Sequence, residues 1–384
     1  MSEINFEDIR PYNNDEIPDA IKRISESIHF NKIVKHIFPD ADLRTFIDNF
    51  RKIKTVDEFQ VQVMDKVIRK ILAQTTEGFS YSGFEQLTQE KSYMFLSNHR
   101  DILLDSAILQ IILHECGLKT SEITFGSNLM NTQLVTDIGK INKMFKIVRG
   151  GTMREIFENS LKVSQYMRYA ITQKHQSTWI AQRNGRTKNG FDSTEVAVLK
   201  MFAMSSPLSF VPNLMELNIT PLAISYEYEP CDFLKTREIY ISKRKQYKKE
   251  QGEDISSIVH GVTQWKKHIH LAVCETITEE ELKQCDTFTH NEKFKCLAEI
   301  IDRKIYQNYK LYKTNYIAHD LLHNANTHIF HYSNEEKEAF KQYMSAGLKN
   351  IEGNINELET IFLEMYAKPV SQLRIKTSNL LQIR

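Results

Sequence analysis

From Lys91 to Cys274, short runs of β-branched and aromatic residues alternate with longer segments of helical period. That alternation confines the chain to an α/β fold, with a sheet flanked by helices. Strands are expected at 93–97, 123–126, 145–148, 178–182, 220–226 and 270–274, and helices at about 101–116, 152–172 and 193–205. Ahead of this block, residues 17–73 read as helices, because Phe59, Val63, Met64, Val67, Ile71 and Leu72 recur at helical spacing. The mostly polar stretch 75–90 reads as a connector. Beyond Thr276 the pattern is helical again to the end. The expected organisation is therefore a helical region 1–80, an α/β domain 81–276 and a helical extension 277–384, without internal repeats.

At 384 residues and 41% hydrophobic, the chain has enough apolar mass for a sizeable core. A net charge of +1 supplies no global field for nucleic acid, so any anion site must be local. The five cysteines (Cys116, Cys231, Cys274, Cys285, Cys296) have no paired or metal-ligand spacing, which reads as reduced thiols in a cytoplasmic setting. The acidic start lacks the apolar core of a signal peptide, and no stretch reaches the roughly 20 apolar residues of a membrane span.

Four segments carry chemistry. In the first, Ser97-Asn98-His99-Arg100-Asp101-Ile102-Leu103-Leu104-Asp105, a strand turns into an almost wholly apolar helix. Asp101 is placed to cap that helix, and Asp105 lies one turn on, where a buried carboxylate needs a partner. His99 is the nearest. A His held by a buried Asp is suited to taking a proton from a hydroxyl; a capped helix with a surface His is the alternative. In the second segment, residues 145–155, a strand ends in Arg149 before Gly150-Gly151, and Thr152 with Glu155 forms a capping box. An Arg beside a helix start suits a phosphate. The third, residues 179–190, sets Arg183, Arg186 and Lys188 on a loop with two Asn-Gly turns at a strand's carboxyl end. The fourth, residues 219–230, is an apolar strand led by Pro221, in which Ala223 and Ser225 would leave room for a ligand.

In this order and spacing the four segments resemble the glycerolipid acyltransferase superfamily, over about residues 81–276. The resemblance implies an α/β fold of the acyltransferase type, a mixed sheet flanked by helices. It makes His99 the general base with Asp105 as its partner, Arg149 and Arg186 the phosphate contacts, and Gly185 and Pro221 the matching glycine and proline of the third and fourth blocks. Two departures stand out. The family's His-x4-Asp becomes His-x5-Asp here, with Asp101 as the other acid, and Arg183 and Asn184 replace a Glu and a Gly in the third block. The activity implied is transfer of an acyl group to glycerol 3-phosphate or lysophosphatidate in phospholipid synthesis. Acyl-CoA or acyl carrier protein would be the co-substrate, with no cofactor or metal, and the protein would touch the inner face of the membrane peripherally. A non-phosphorylated lipid acceptor such as an acylated amino acid, and a non-catalytic lipid-binding role, are alternatives. Two further signals are a basic run, Lys243-Arg244-Lys245-Gln246-Tyr247-Lys248-Lys249, and His319-Asp320 with His323, His328 and His331. The second would fit a metal-dependent phosphohydrolase, but no full ligand set is nameable from the sequence, so no metal is assigned.

Overall fold

A computed structural model describes residues 5–380 except 131, 149 and 251, and for 374–380 the backbone alone. The chain opens with helices α1 (Ile17–Glu26), α2 (Ile28–Ile37), α3 (Leu43–Phe50), α4 (Val56–Phe59) and α5 (Asp65–Thr75). The apolar faces of α1 to α4 meet in one cluster that includes Ile21, Phe30, Phe50 and Phe59, whereas α5 turns Ile68 and Leu72 towards the sheet. Strand β1 (Thr76–Ser82) and strand β2 (Met94–Ser97) follow. Next come α6 (Leu104–Glu115), β3 (Glu122–Gly126), α7 (Gln133–Ile141), β4 (Met144–Ile147), α8 (Met153–Thr172) and β5 (Thr178–Ala181). Helices α9 (Val196–Ala203) and α10 (Phe210–Met215) lead to β6 (Ile219–Tyr226). Helices α11 (Asp232–Ser242) and α12 (Glu253–Thr263) then lead to β7 (Lys267–Val273). The chain closes with α13 (Glu279–Asp286), α14 (His290–Asn308), α15 (Lys313–Leu322), α16 (Asn334–Leu348) and α17 (Ile355–Leu380).

The seven strands form one sheet in the order β1-β7-β6-β2-β5-β3-β4. All neighbours are parallel except β6 and β7, so the sheet is mixed. Alternate residues of each strand feed two cores. On one face Met94, Leu96, Ile180 and Ala223 pack against α8, α9 and α14. On the other Phe95, Trp179, Leu222 and Ile224 pack against α5 and α6. This is the flanked α/β sheet expected from the alternation, with helices on either side of the sequence block that forms it.

Three local expectations are corrected. The connector expected at 75–90 contains β1, which pairs in parallel with β7 at the sheet edge. Most of its residues are exposed, so it lacks the alternation that marks a half-buried strand. The sheet thus begins at Thr76, inside the stretch expected to be a connector. Helix α6 starts at Leu104, not at 101, so Asp105 stands in its first turn. Ala223 and Ser225 leave no room for a ligand: Ala223 is buried in the core and Ser225 Oγ accepts a hydrogen bond from Lys310 N at 2.9 Å.

Candidate active site

The parallel register sets the site. Ser97, the last residue of β2, lies opposite Ala181 of β5 and Leu222 of β6. The segments leaving β2 and β5 therefore start from the same edge, where open α/β sheets bind ligands. Hydrogen bonding continues past the strands. Gln182 N donates to Ser97 O at 2.8 Å, and Thr187 N donates to His99 O at 2.8 Å. Arg186, one residue before Thr187, is thereby fixed beside the His99 turn.

His99 Nδ1 lies 2.9 Å from Asp105 Oδ2. The same oxygen accepts Arg100 N at 2.6 Å and Asp101 N at 3.0 Å, while Oδ1 accepts the Tyr226 hydroxyl at 2.7 Å. The late start of α6 explains this arrangement: the turn 100–103 wraps over the helix N-terminus and aims the N–H groups of Arg100 and Asp101 at Asp105. A carboxylate that receives three other donors acts as an acceptor, so Nδ1 carries the imidazole proton and Nε2 keeps a free lone pair. Asp101 takes the capping role instead, its Oδ1 accepting Leu103 N and Leu104 N at 2.9 and 2.8 Å. The partner of His99 is Asp105. Its other carboxyl oxygen, Oδ2 of Asp101, faces Gly261 of α12, where an added Cβ would come within 2.2 Å.

Tyr226 is fully buried. Burial first, and then the charge of Asp105, hold its phenol well above the ordinary value, so it remains a donor. Tyr226→Phe leaves Asp105 Oδ1 without its donor. We expect a loss of about 1–2 kcal/mol in urea unfolding.

Beside His99 the turn is pinned from beneath by buried charges. Arg100, 1% exposed, pairs with Asp192 at 2.6 Å and Glu229 at 3.1 Å. Lys235 pairs with Glu229 at 2.6 Å and also donates to Arg100 O at 2.8 Å. Burial works against the Arg100 charge, but Asp192 and Glu229 outweigh it and hold the guanidinium protonated. Asn98 adds two donor bonds, to Asp192 and to Ile224 O, each at 3.0 Å. Two cations and two anions close this network, and Arg100 is turned away from the cleft. The sequence reading missed Asp192, Glu229 and Lys235, which are far apart in the chain and stand in no local pattern.

His99 lines a cleft of about 90 Å3 together with Ser106, Asn128, Gly185, Arg186 and Lys249. Arg186 Nη1 is buried and makes no hydrogen bond among the described residues, so a cationic donor is held ready there. Gly185 supplies the turn that presents it, with φ of +77°. Lys249, from the basic run, reaches the cleft and is paired with Asp254 at 2.5 Å. The Trp179 and His99 rings meet edge to face, with centroids 5.8 Å apart. A larger cavity of about 500 Å3 lies between α4–α5 and the outer part of α6, lined by Gln60, Met64, Ala107, Gln110 and Lys143. It contains neither His99 nor Arg186.

The remaining candidates fall elsewhere. Arg149 lies outside the described residues. The start of α8 that follows it is capped by its own Glu155, whose carboxylate accepts Thr152 N at 2.7 Å. Pro221 is buried in β6 opposite Leu96 and does not line the cleft; its strand contributes Tyr226 five residues later. Arg244, from the basic run, is paired at the surface with Glu357 of α17.

Comparison with known proteins adds the following. No family model matches the chain, and no curated protein matches it by sequence. Among solved structures, it is similar to the 1-acyl-sn-glycerophosphate (LPA) acyltransferase PlsC from Thermotoga maritima, with a TM-score of 0.40 and 10% sequence identity. The match covers 77% of this chain and 95% of that one.

Proposed function

We propose that this protein is an O-acyltransferase that moves a fatty acyl group from a thioester to the hydroxyl of a phosphate-bearing glycerol acceptor. The observation that carries the reading is the cleft itself, which an Asp-held imidazole and the Arg186 guanidinium both line. His99 Nε2 takes the acceptor's hydroxyl proton as that oxygen attacks the thioester carbonyl. The C–S bond breaks as the tetrahedral intermediate collapses, and the proton passes from His99 to the leaving thiolate. Arg186 holds the acceptor phosphate and so fixes the hydroxyl near Nε2, which supplies much of the rate through positioning. The donor is acyl-CoA or acyl carrier protein, and the acceptor is glycerol 3-phosphate or lysophosphatidate. No described helix is long and apolar enough to cross a membrane. Around the start of α8, however, Val148, Met153, Ile156 and Phe157 are exposed, Met153 by 83%. This apolar patch, which follows the carboxyl end of β4 at the same sheet edge as the cleft, would rest on the membrane that holds the product.

The test is thiol release from palmitoyl-CoA and palmitoyl–acyl carrier protein, each offered with glycerol 3-phosphate and with lysophosphatidate. Acceptor-dependent release supports the reading, and none with any pair removes it. Arg186→Ala should raise KM for the phosphorylated acceptor about 10- to 100-fold while kcat changes only a few-fold. The change from Glu to Arg183 in the third block favours a second reading, in which the acceptor carries no phosphate. In that case Arg186→Ala would leave KM for such an acceptor unchanged.

A further inference from the structure

The end of α15 and the segment that follows it fold one histidine of the late cluster back onto two neighbours. His319 and Asp320 occupy the last turn of α15. Asn324, with φ of +47°, reverses the chain, and Ala325 N closes the turn on Asp320 O at 2.9 Å. This return places His328 over the helix end. Asp320 is 1% exposed and uses one oxygen to hold the return, Oδ2 accepting His328 N at 2.8 Å and the Tyr332 hydroxyl at 2.9 Å. Its other oxygen, Oδ1, is buried and makes no hydrogen bond among the described residues. A buried carboxylate oxygen left in that condition is costly unless a cation meets it.

What stands around that oxygen is a ligand set. His319 Nδ1 is 3.7 Å from Asp320 Oδ1. The His319 and His328 rings are perpendicular with centroids 4.9 Å apart. One nitrogen of each and the Asp320 oxygen lie within 4.8 Å of one another. Tetrahedral zinc, with bonds of about 2.0–2.1 Å, needs ligand atoms about 3.3 Å apart, so a small closing of the side chains would complete the contact. Two imidazoles with one carboxylate suit zinc better than calcium or magnesium, which prefer all-oxygen shells. His323, exposed and one helical turn beyond His319, has its ring centroid 4.6 Å from that of His319.

We propose that His319, Asp320 and His328 form a zinc site, with His323 or a water in the fourth position, that ties the returning loop to the end of α15. None of these residues lines the His99 cleft, so the role is structural. Helix α15 packs on α17 in the C-terminal core. Through Tyr366 and Gln372, α17 in turn bonds Asp232 Oδ2 and Asp192 O. The site thus steadies the helices that buttress the buried charges beneath His99.

The test uses untagged full-length protein, dialysed against buffered Zn2+ and then against metal-free buffer, with bound metal counted by elemental analysis. We expect close to one equivalent retained, and tetrahedral d–d absorption bands when Co2+ is substituted. His328→Ala keeps the backbone N–H that Asp320 holds, and should weaken Zn2+ binding by at least roughly 100-fold. Asp320→Asn should do the same, and His290→Ala, a control outside the cluster, should not. Chelation should lower the melting temperature of the wild type by several degrees and leave His328→Ala unmoved. Less than a tenth of an equivalent in the wild type, octahedral cobalt bands alone, or full retention by His328→Ala would overturn the site. Each outcome is independent of acyl transfer, so failure here leaves the His99 reading standing, and the reverse holds.

Discussion

His99→Ala should cut acceptor-dependent thiol release about a thousand-fold, within the range seen when a positioned general base is removed. The protein should still fold. The His99 side chain is 13% exposed and contributes one hydrogen bond, to an Asp105 oxygen that keeps two backbone donors after the change. The expected cost is about 1 kcal/mol, small enough that urea unfolding of the variant follows the wild type closely. Asp105→Asn should behave differently. Four donors point at Asp105, and an amide must aim its NH2 at some of them whichever way it is turned. That variant should lose activity by roughly 10^3 to 10^4, because the imidazole tautomer is no longer fixed, and should lose stability as well. The pair of variants separates chemistry from scaffold. Equal release by wild type and His99→Ala would remove the imidazole from the mechanism.

How much of this was legible in the sequence follows from which interactions are local. His99 and Asp105 are six positions apart and joined by one turn, so the residue types on that turn announce the pair. What they do not announce is where α6 begins. Asp101 satisfies the usual capping preference, yet the chain makes a further turn before Leu104, because Asp105 draws the N–H groups of Arg100 and Asp101 to itself. This also accommodates the extra residue between His and Asp. Arg186 and Gly185 were legible as a loop at a strand's end, and the parallel register carried them to His99. Strand β1 was not legible, since an edge strand with a solvated face has no hydrophobic alternation to show. The third member of the zinc cluster was visible only as one His among several; a positive φ at Asn324 decides which of them returns to α15.

Arg100 lies beyond the reach of sequence inspection for a further reason: its position next to His99 invites a substrate role, whereas its side chain points into the protein. Arg100→Met should destabilise the fold by about 3–5 kcal/mol, the penalty for leaving buried carboxylates without their cation. The magnitude follows from what remains. Among the described residues, the Asp192 carboxylate would keep Asn98 and Thr187 as side-chain donors, and Glu229 would share its charge with Lys235. Removing the opposite charge as well, in Arg100→Met with Asp192→Asn, should recover part of the loss, because fewer unpaired charges stay buried; a double-mutant cycle in urea reads that coupling directly. High salt should change little, since the pair is 1% and 2% exposed and ions in solution do not reach it. The Arg154–Glu158 pair on α8, 86% and 57% exposed, makes the contrast: breaking it should cost well under about 1 kcal/mol and depend on salt. A loss below about 1 kcal/mol for Arg100→Met would mean that water enters beneath the His99 turn. In that case the rigidity attributed to the base would need another source.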